Sequence, residues 1–192
     1  MSSLLIACDG SCIGRKDETK MIGWAWADAD GAWLSNGWKE GTNQRAELHA
    51  LWSALKFHPT GDIKIQIDSM YALNCVSKWA RGWESRGWRK ADGEPVLNLD
   101  LIRPAYELLK RHKGEVEFMW VKGHLKNNEF PLNTEADKRA CEGSARVRAG
   151  EIGTAGDYYL DSKGRKELKT ENDFVKKVYG LVDVAGVPIS AD

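Results

Sequence analysis

Short apolar runs separated by turn residues dominate the first forty positions of the chain. Ser3–Cys8, which is apolar from Leu4 onward, is typical of a buried strand, and Ile22–Ala27 ("IGWAWA") is a second strand rich in tryptophan. The tetrapeptide "DADG" at 28–31 has the aspartate and glycine that a tight turn requires, and it leads into a third strand over Ala32–Trp38. The pattern predicts an antiparallel meander.

The later part of the chain mixes helical and strand periods. Leu48, Leu51 and Leu55 recur at three- and four-residue steps, which predicts a helix that begins at Thr42 or Asn43 and ends near His58, before Pro59. The other predicted elements are a strand over Ile63–Asp68, helices over Met70–Ala80 and Leu97–His112, a strand within Gly114–His124 and a final helix over Thr134–Arg148. The segment Arg81–Pro95 lacks either period and is predicted to be irregular.

This order of elements predicts an α/β domain over residues 1–150, with a mixed sheet and helices on its faces. Residues 151–192 form a separate C-terminal extension in this interpretation, with "DYYLDSKGRKEL" as a candidate hairpin. The extension is either a small added element or a segment without fixed structure, and the sequence leaves both open.

Charge is distributed unevenly although its sum is zero. The stretch 76–113 has nine basic and five acidic residues, whereas the residues before it are slightly acidic. A neutral chain argues against a general nucleic-acid binder, but a local basic segment fits a polyanion that touches one face.

Composition narrows the setting further. No apolar run approaches the roughly 20 residues that a bilayer-crossing helix needs, and the N-terminus has no signal-peptide pattern, so we expect no membrane association and a cytoplasmic location. The four cysteines are dispersed without a CxxC pair, which favours reduced thiols over disulfides or zinc. We expect a monomer.

Four carboxylates stand at positions where a sheet edge could gather them. Asp9 and Asp68 follow predicted strands, Glu47 is placed in the first turn of the first helix, and Asp137 lies near the start of the last. Clustered oxygen ligands suit Mg²⁺ or Mn²⁺ rather than zinc. Each acid taken alone is equally typical of a solvated surface group or a helix cap, so the residues alone leave the metal site and the surface interpretation open.

Five motifs, in order, resemble those of ribonuclease HI. They are "DGSCIG" at 9–14, "TNQRAEL" at 42–48, "IDSMYAL" at 67–73, "WVKGH" at 120–124 and "NTEADKRA" at 133–140. The segment Lys78–Leu101 also resembles the basic handle of the bacterial type, and the resemblance covers about residues 3 to 148. It implies a ribonuclease H-like fold: a five-stranded mixed sheet whose first three strands are antiparallel.

The resemblance also implies a function and a site. The expected reaction is hydrolysis of the RNA strand of an RNA–DNA hybrid by two Mg²⁺ ions, with Mn²⁺ as a substitute, leaving 5′-phosphate and 3′-hydroxyl ends. The implied metal ligands are Asp9, Glu47, Asp68 and Asp137, and His124 would help to activate water or release product. The candidate substrate contacts are Gly10, Ser11, Cys12, Gly14, Thr42, Asn43, Gln44, Trp79, Trp83, Arg86, Trp88 and Arg89.

The chain departs from the family pattern at several places. Arg15 stands where a sugar-contacting Asn is common, Met70 replaces a common Gln, and Glu84 and Ser85 replace basic handle residues. The loop from His124 to the last helix is longer than usual. Glu135 competes with Asp137 as the fourth ligand, and the "N-x-E-A-D" spacing favours Asp137.

The sequence leaves the role of the handle tryptophans and the type of activity open. The handle tryptophans either form a platform for nucleic acid or pack the handle onto the domain. The competing functions are a 3′–5′ exonuclease, which would show Asp-x-Glu in its first strand where this chain has Asp9-Gly10-Ser11, and a catalytically inactive hybrid-binding module, which should have lost a carboxylate.

Overall fold

A mixed seven-stranded sheet with helices on it forms the framework of the computed structural model, which describes residues 3–15, 18–123, 129–151, 158–161 and 164–167. The strands are β1 (Leu4–Ile13), β2 (Met21–Asp28), β3 (Trp33–Trp38), β4 (Ile63–Ile67), β5 (Val116–Trp120), β6 (Tyr158–Asp161) and β7 (Gly164–Glu167). The helices are α1 (Asn43–Phe57), α2 (Met70–Asn74), α3 (Ala80–Ser85), α4 (Leu99–Arg111) and α5 (Pro131–Arg148), with a π-helical turn over Cys75–Trp79 between α2 and α3.

The strand order is β5-β4-β1-β2-β3-β6-β7. β1, β2 and β3 form the predicted antiparallel meander, and β4 and β5 add in parallel on the other side of β1. The predicted five-stranded mixed sheet is therefore confirmed. The candidate hairpin is also present as β6 and β7, and it joins the outer edge of β3 through Leu34↔Asp161 and Ser35↔Leu160. The domain boundary at residue 150 stays a prediction.

The core lies between the sheet and α1. Leu48, Leu51 and Leu55 are fully buried on α1, as the helical spacing predicts. Each such side chain contributes about 1.5–3 kcal/mol by leaving water. His49 on α1 stacks on Trp24 of β2, with ring centroids 4.2 Å apart, and burial, followed by the Arg45 charge, lowers the pKa of His49. The helix that carries Glu47 is thus held rigidly on the sheet.

Three element boundaries differ from the sequence predictions. β1 continues past Asp9 to Ile13 because β2 remains paired with it as far as Ile13↔Met21. The helical path from Met70 runs on to Ser85, so the first part of the segment predicted to be irregular is helical. α5 begins at Pro131 rather than Thr134, since proline suits the first position of a helix, where no N–H is needed.

The described residues also bear on membrane association and on the thiols. None of the helices among them combines the length and apolar character needed to cross a membrane. All four cysteines are free thiols, with Cys8 and Cys75 buried.

Candidate active site

Asp9 and Asp68 lie at the same level of the sheet, where the parallel pairing of β1 and β4 ends. β1 and β4 pair in parallel as far as Cys8↔Ile67, and each aspartate directly follows that last pair. Beyond this point β1 continues alongside β2 alone, with Asp9 opposite Ala25. Asp9 therefore lies within a strand, not at its end as predicted, yet the expected meeting of the two carboxylates at one edge of the β1–β4 pairing is confirmed.

Glu47 reaches the same edge because α1 lies very close to β1. Thr42 caps this helix by accepting a hydrogen bond from the Arg45 N–H (3.2 Å), so Glu47 falls in the second turn rather than the first. Gly10 permits the close approach: a Cβ at this position would lie 2.5 Å from the Glu47 nitrogen. The glycine after Asp9 thus serves helix packing, and its predicted contact with substrate stays a prediction.

The three carboxylates form a tight and mostly buried cluster. Asp9, Glu47 and Asp68 each offer an oxygen within 4.8 Å of the others, and Asp9 and Glu47 are only 3% and 5% exposed. Burial, followed by the charges of Asp68 and Asp137, raises the pKa of Asp9 to about 8. Burial and then the Asp9 and Asp68 charges raise the pKa of Glu47 well above its usual value, and the Gly10 N–H opposes both shifts.

Among the described residues, no ion pair joins Asp9 or Glu47 to a basic side chain. Arg45, two residues from Glu47, is held instead by both oxygens of Asp100, at 3.0 and 2.6 Å. Glu47 Oε2 is buried, and no described group donates a hydrogen bond to it. Buried, mutually repelling oxygen ligands with an unsatisfied acceptor fit a hard divalent cation.

Asp137 approaches the cluster from α5 without joining the set of three. It lies in the second turn of this helix, because α5 starts earlier than predicted. Its charge still contributes to the raised pKa of Asp9. Cys141, one turn further on, lies with its Sγ 3.8 Å from Asp137 Oδ1.

Glycines place α5 where Asp137 can act on Asp9. A Cβ on Gly23 of β2 would collide with the Ala140 carbonyl and the Ser144 nitrogen, and one on Gly143 would collide with the Asn36 carbonyl. The helix and the sheet therefore touch through backbone atoms. No single-sequence pattern pointed to this close contact, although glycine inside a strand is a general sign of it.

Glu135, the alternative fourth ligand, is engaged elsewhere. Its carboxylate pairs with Arg139 at 2.7 Å, and Arg139 also bonds Glu142 at 3.0 Å. The Arg139 guanidinium lies over the Trp33 ring, 3.9 Å from its centroid. These contacts support Asp137 as the ligand, in line with the sequence spacing.

The predicted substrate contacts near the carboxylates divide into buried and exposed groups. Ser11 is buried, and its hydroxyl lies 3.0 Å from the Ser144 hydroxyl on α5. Cys12 is half-buried. The exposed group consists of Gly14, which has a φ of 136°, and the residues at the start of α1, namely Thr42, Asn43 and Gln44. Polar groups are thus available to a ligand beside the cluster, chiefly at the α1 end.

The handle, residues 78–101, has one outward-facing tryptophan. Trp79 is 44% exposed, whereas Trp83 and Trp88 are half-buried against the core. Trp88 also meets Tyr106 edge-on at 6.2 Å. The packing interpretation therefore holds for Trp83 and Trp88, whereas a contact of the exposed Trp79 with nucleic acid stays a prediction.

Some charged residues of the handle form contacts within the chain that the sequence did not reveal. Glu84 pairs with Lys110 of α4 at 2.6 Å, so its charge is balanced within the chain. Arg86 and Arg89 are exposed, and Arg89 donates to the Gly93 carbonyl at 2.9 Å. No pattern in the sequence pairs Glu84 with Lys110, which lies 26 residues further along the chain.

Three further predicted features have different outcomes. His124 and the loop at 124–128 lie outside the described residues, so its predicted role stays a prediction. Arg15 is exposed, with its Nε 3.9 Å from Glu18. Met70 is 46% exposed, two residues after Asp68.

The chain matches known proteins in sequence and in fold. The family model for RNase H matches residues 1–145. Ribonuclease H of Tropheryma whipplei (strain Twist) is 36% identical over 141 residues, covering 72% of this chain and 83% of the relative. The crystal structure of LC9-RNase H1, a type 1 RNase H with the type 2 active-site motif, aligns with a TM-score of 0.64 at 21% identity, over 94% of this chain and 84% of that one.

A viral structure shows the same fold in a longer protein. The foamy viral protease-reverse transcriptase in complex with an RNA/DNA hybrid aligns with a TM-score of 0.64 at 20% identity. The match covers 74% of this chain but only 20% of the viral one.

Clustered acids at the edge of the parallel strands of an α/β fold are the kind of ligand set that metal-dependent nucleases and polymerases use. The chain belongs to the ribonuclease H family, of the bacterial kind. The resemblance inferred from the five motifs is confirmed, and the enzyme is a metal-dependent ribonuclease H.

Proposed function

We propose that Asp9, Glu47, Asp68 and Asp137 hold two Mg²⁺ ions, for which Mn²⁺ can substitute, during hydrolysis of the RNA strand of RNA–DNA hybrids. The products would carry 5′-phosphate and 3′-hydroxyl ends. The observation that carries this proposal is the mostly buried cluster of three carboxylates within 4.8 Å of one another, with Glu47 Oε2 lacking a described donor. The exonuclease alternative is disfavoured because the residue two after Asp9 is Ser11, which packs on α5.

The chain's own groups would orient the reaction. Divalent cations, when bound, would lower the pKa of the attacking water and stabilise the leaving oxygen. Gly10 fixes the Asp9 carboxylate by donating its N–H to Oδ1 at 2.7 Å. The seating of α1 on β1 holds Glu47 toward Asp9. His124 is proposed to help to activate the water or to release the product.

Substrate recognition is proposed to use the two exposed regions around the cluster. Distinguishing RNA from DNA requires contact with the 2′-hydroxyl. The exposed Asn43 and Gln44 side chains and the main chain at 12–14 are suited to that contact. In the handle, Trp79 would contact the hybrid by stacking, and Arg86 and Arg89 would contact it through their positive charge.

The test is cleavage of labelled RNA–DNA hybrid, RNA duplex and DNA duplex of one sequence, each with Mg²⁺, Mn²⁺ or EDTA. We expect cleavage of the hybrid's RNA strand with either ion and none in EDTA. Asp9→Asn should abolish that cleavage and still bind the hybrid. Full activity of Asp9→Asn would refute the ligand assignment, and hybrid binding without cleavage by the native chain would favour the inactive binding module.

We also propose that the enzyme works as a monomer in the cytoplasm. The free thiols Cys8, Cys12, Cys75 and Cys141 support a reducing compartment. Light scattering at increasing concentration would test the oligomeric state, and fractionation of the producing cells would test the location.

A further inference from the structure

Trp120 occupies an unusual place at the end of β5. It is 50% exposed, so the ring contributes less to the core than a buried tryptophan does. Its indole N–H nevertheless makes a specific contact, donating to the main-chain carbonyl of Asp68 at 2.9 Å. The contact joins a surface aromatic residue to the peptide of a proposed metal ligand.

The connection that carries Asp68 is short and is fixed from both ends. β4 ends at Ile67 and α2 begins at Met70. On the strand side, the Val121 N–H donates to the Ile67 carbonyl at 3.0 Å, and Ile67 stands opposite Trp120 in the parallel register. The end of β5 therefore holds the last peptide before Asp68.

On the helix side, α2 uses Ser69 rather than Asp68. The Leu73 N–H donates to the Ser69 carbonyl at 3.1 Å, and the Ala72 N–H donates to Ser69 Oγ at 3.2 Å. The Asp68 carbonyl thus stands outside the helical hydrogen bonds, where the Trp120 indole reaches it. Rotation of the peptide after Asp68 would require this bond to break.

The carboxylate of Asp68 meets the same segment. A Cβ on Gly123 would collide with Asp68 Oδ2. The stretch from Trp120 to Gly123 therefore borders both the main chain and the side chain of Asp68, and a change in its position would alter where the carboxylate points.

We propose that Trp120 is a positioning residue for Asp68, acting through the hydrogen bond from its indole N–H to the Asp68 carbonyl. The inference rests on the proposed function, because it assumes that Asp68 binds Mg²⁺. Trp120 itself touches neither metal nor substrate in this role. Its contribution is to keep one ligand in register with Asp9 and Glu47.

The test measures Mg²⁺ affinity without nucleic acid, by titrating the full chain and following the amide NMR signals around Asp9. Trp120→Phe keeps an aromatic ring but removes the donor, and Trp120→Leu removes both. A lost hydrogen bond should weaken Mg²⁺ binding by a factor of about 3 to 10 in Trp120→Phe, with Trp120→Leu at least as weak. Trp33→Phe, a matched change at the start of β3, should bind Mg²⁺ like the native chain.

Two controls separate positioning from stability. The denaturation midpoint in EDTA reports whether each variant folds as the native chain does. In the native protein itself, Mg²⁺ should shift the indole N–H signal of Trp120 and leave that of Trp33 unchanged. This measurement needs no variant, so it stands even where a substitution disturbs folding.

The outcomes are distinguishable. The positioning role would be overturned if Trp120→Phe bound Mg²⁺ as tightly as the native chain, or if Mg²⁺ did not shift the Trp120 indole N–H signal. Either result would leave the proposed function intact. Absence of Mg²⁺ binding by the native chain would refute the proposed function, and the inference with it.

Discussion

Replacing Asp9 by Asn should stabilise the metal-free protein while removing its activity. Asp9 is 3% exposed and lies beside Glu47 and Asp68. The substitution removes one charge from this cluster with almost no change in volume. Asn also retains an Oδ1 that can accept the 2.7 Å hydrogen bond from the Gly10 N–H. The perturbation is therefore mainly electrostatic.

The magnitude follows from the pKa of Asp9, which rises from 3.8 in the unfolded reference to about 8 in the folded protein. A carboxyl with a raised pKa binds its proton more tightly when folded, so the destabilisation is absent below pH 3.8, grows up to about pH 8 and is constant above it. Each pH unit in that window is worth about 1.4 kcal/mol. The gain for Asp9→Asn should be about 2 kcal/mol at about pH 5 and about 4 kcal/mol at about pH 7.

The assay is urea unfolding of both proteins in EDTA at about pH 5, 7 and 9, with the free energy of unfolding taken from each curve. Asp30→Asn is the matched control, since Asp30 is an exposed residue of the β2–β3 turn, and its effect should stay within about 0.5 kcal/mol. Added Mg²⁺ should stabilise the native chain more than the variant, because an ion that binds only the folded state adds to its stability.

The change of the stability gain with pH is as informative as its sign. A gain that is the same at every pH would mean that Asp9 is not titrating in this window. A loss of stability in EDTA would mean that the Asp9 carboxylate makes net favourable contacts in the folded protein, contrary to its raised pKa.

Two further predictions concern packing and the handle. Gly10→Ala should destabilise the fold by about 1–3 kcal/mol, because the new Cβ meets the α1 backbone, and urea unfolding checks this. Gly82→Ala is the control, since Gly82 lies in α3 and a Cβ there would come no closer than 3.5 Å to another group, so it should cost no stability. The double change of Arg86 and Arg89 to Ala should weaken hybrid binding and make its salt dependence shallower by about one to two units of log–log slope. The control is the double change of Lys113 and Arg148 to Ala, which removes the same charge from exposed positions outside the handle. If both double variants showed the same salt dependence of hybrid binding, the handle would have only a packing role.

The sequence predicted the active-site edge well where local pattern and topology coincide. An apolar run followed by an aspartate, found twice, was enough to place Asp9 and Asp68 beside each other once the strands were taken as parallel. The helical spacing likewise placed Glu47 on the element that covers β1. These signals are local, and the parallel register of β1 and β4 is what brings the two aspartates close together.

Other features depended on contacts between distant segments. The close seating of α5 depends on Gly23 and Gly143 touching backbone across the interface, which no period in a single sequence reveals. The Glu84–Lys110 pair joins two helices, so the acidic handle residue looked unbalanced until the structure placed Lys110 beside it. Trp83 and Trp88 looked the same as Trp79 in sequence, and only their packing against the core separates them.

The sheet order has a consequence for how the enzyme is made. β1 leaves the ribosome early, but its neighbour β4 and the helix that carries Asp137 follow much later in the chain. The proposed ligand set therefore comes together only after synthesis has passed α5. A nascent chain that has made β1 to β3 can form the meander yet has no complete site, so catalytic competence would appear late in translation.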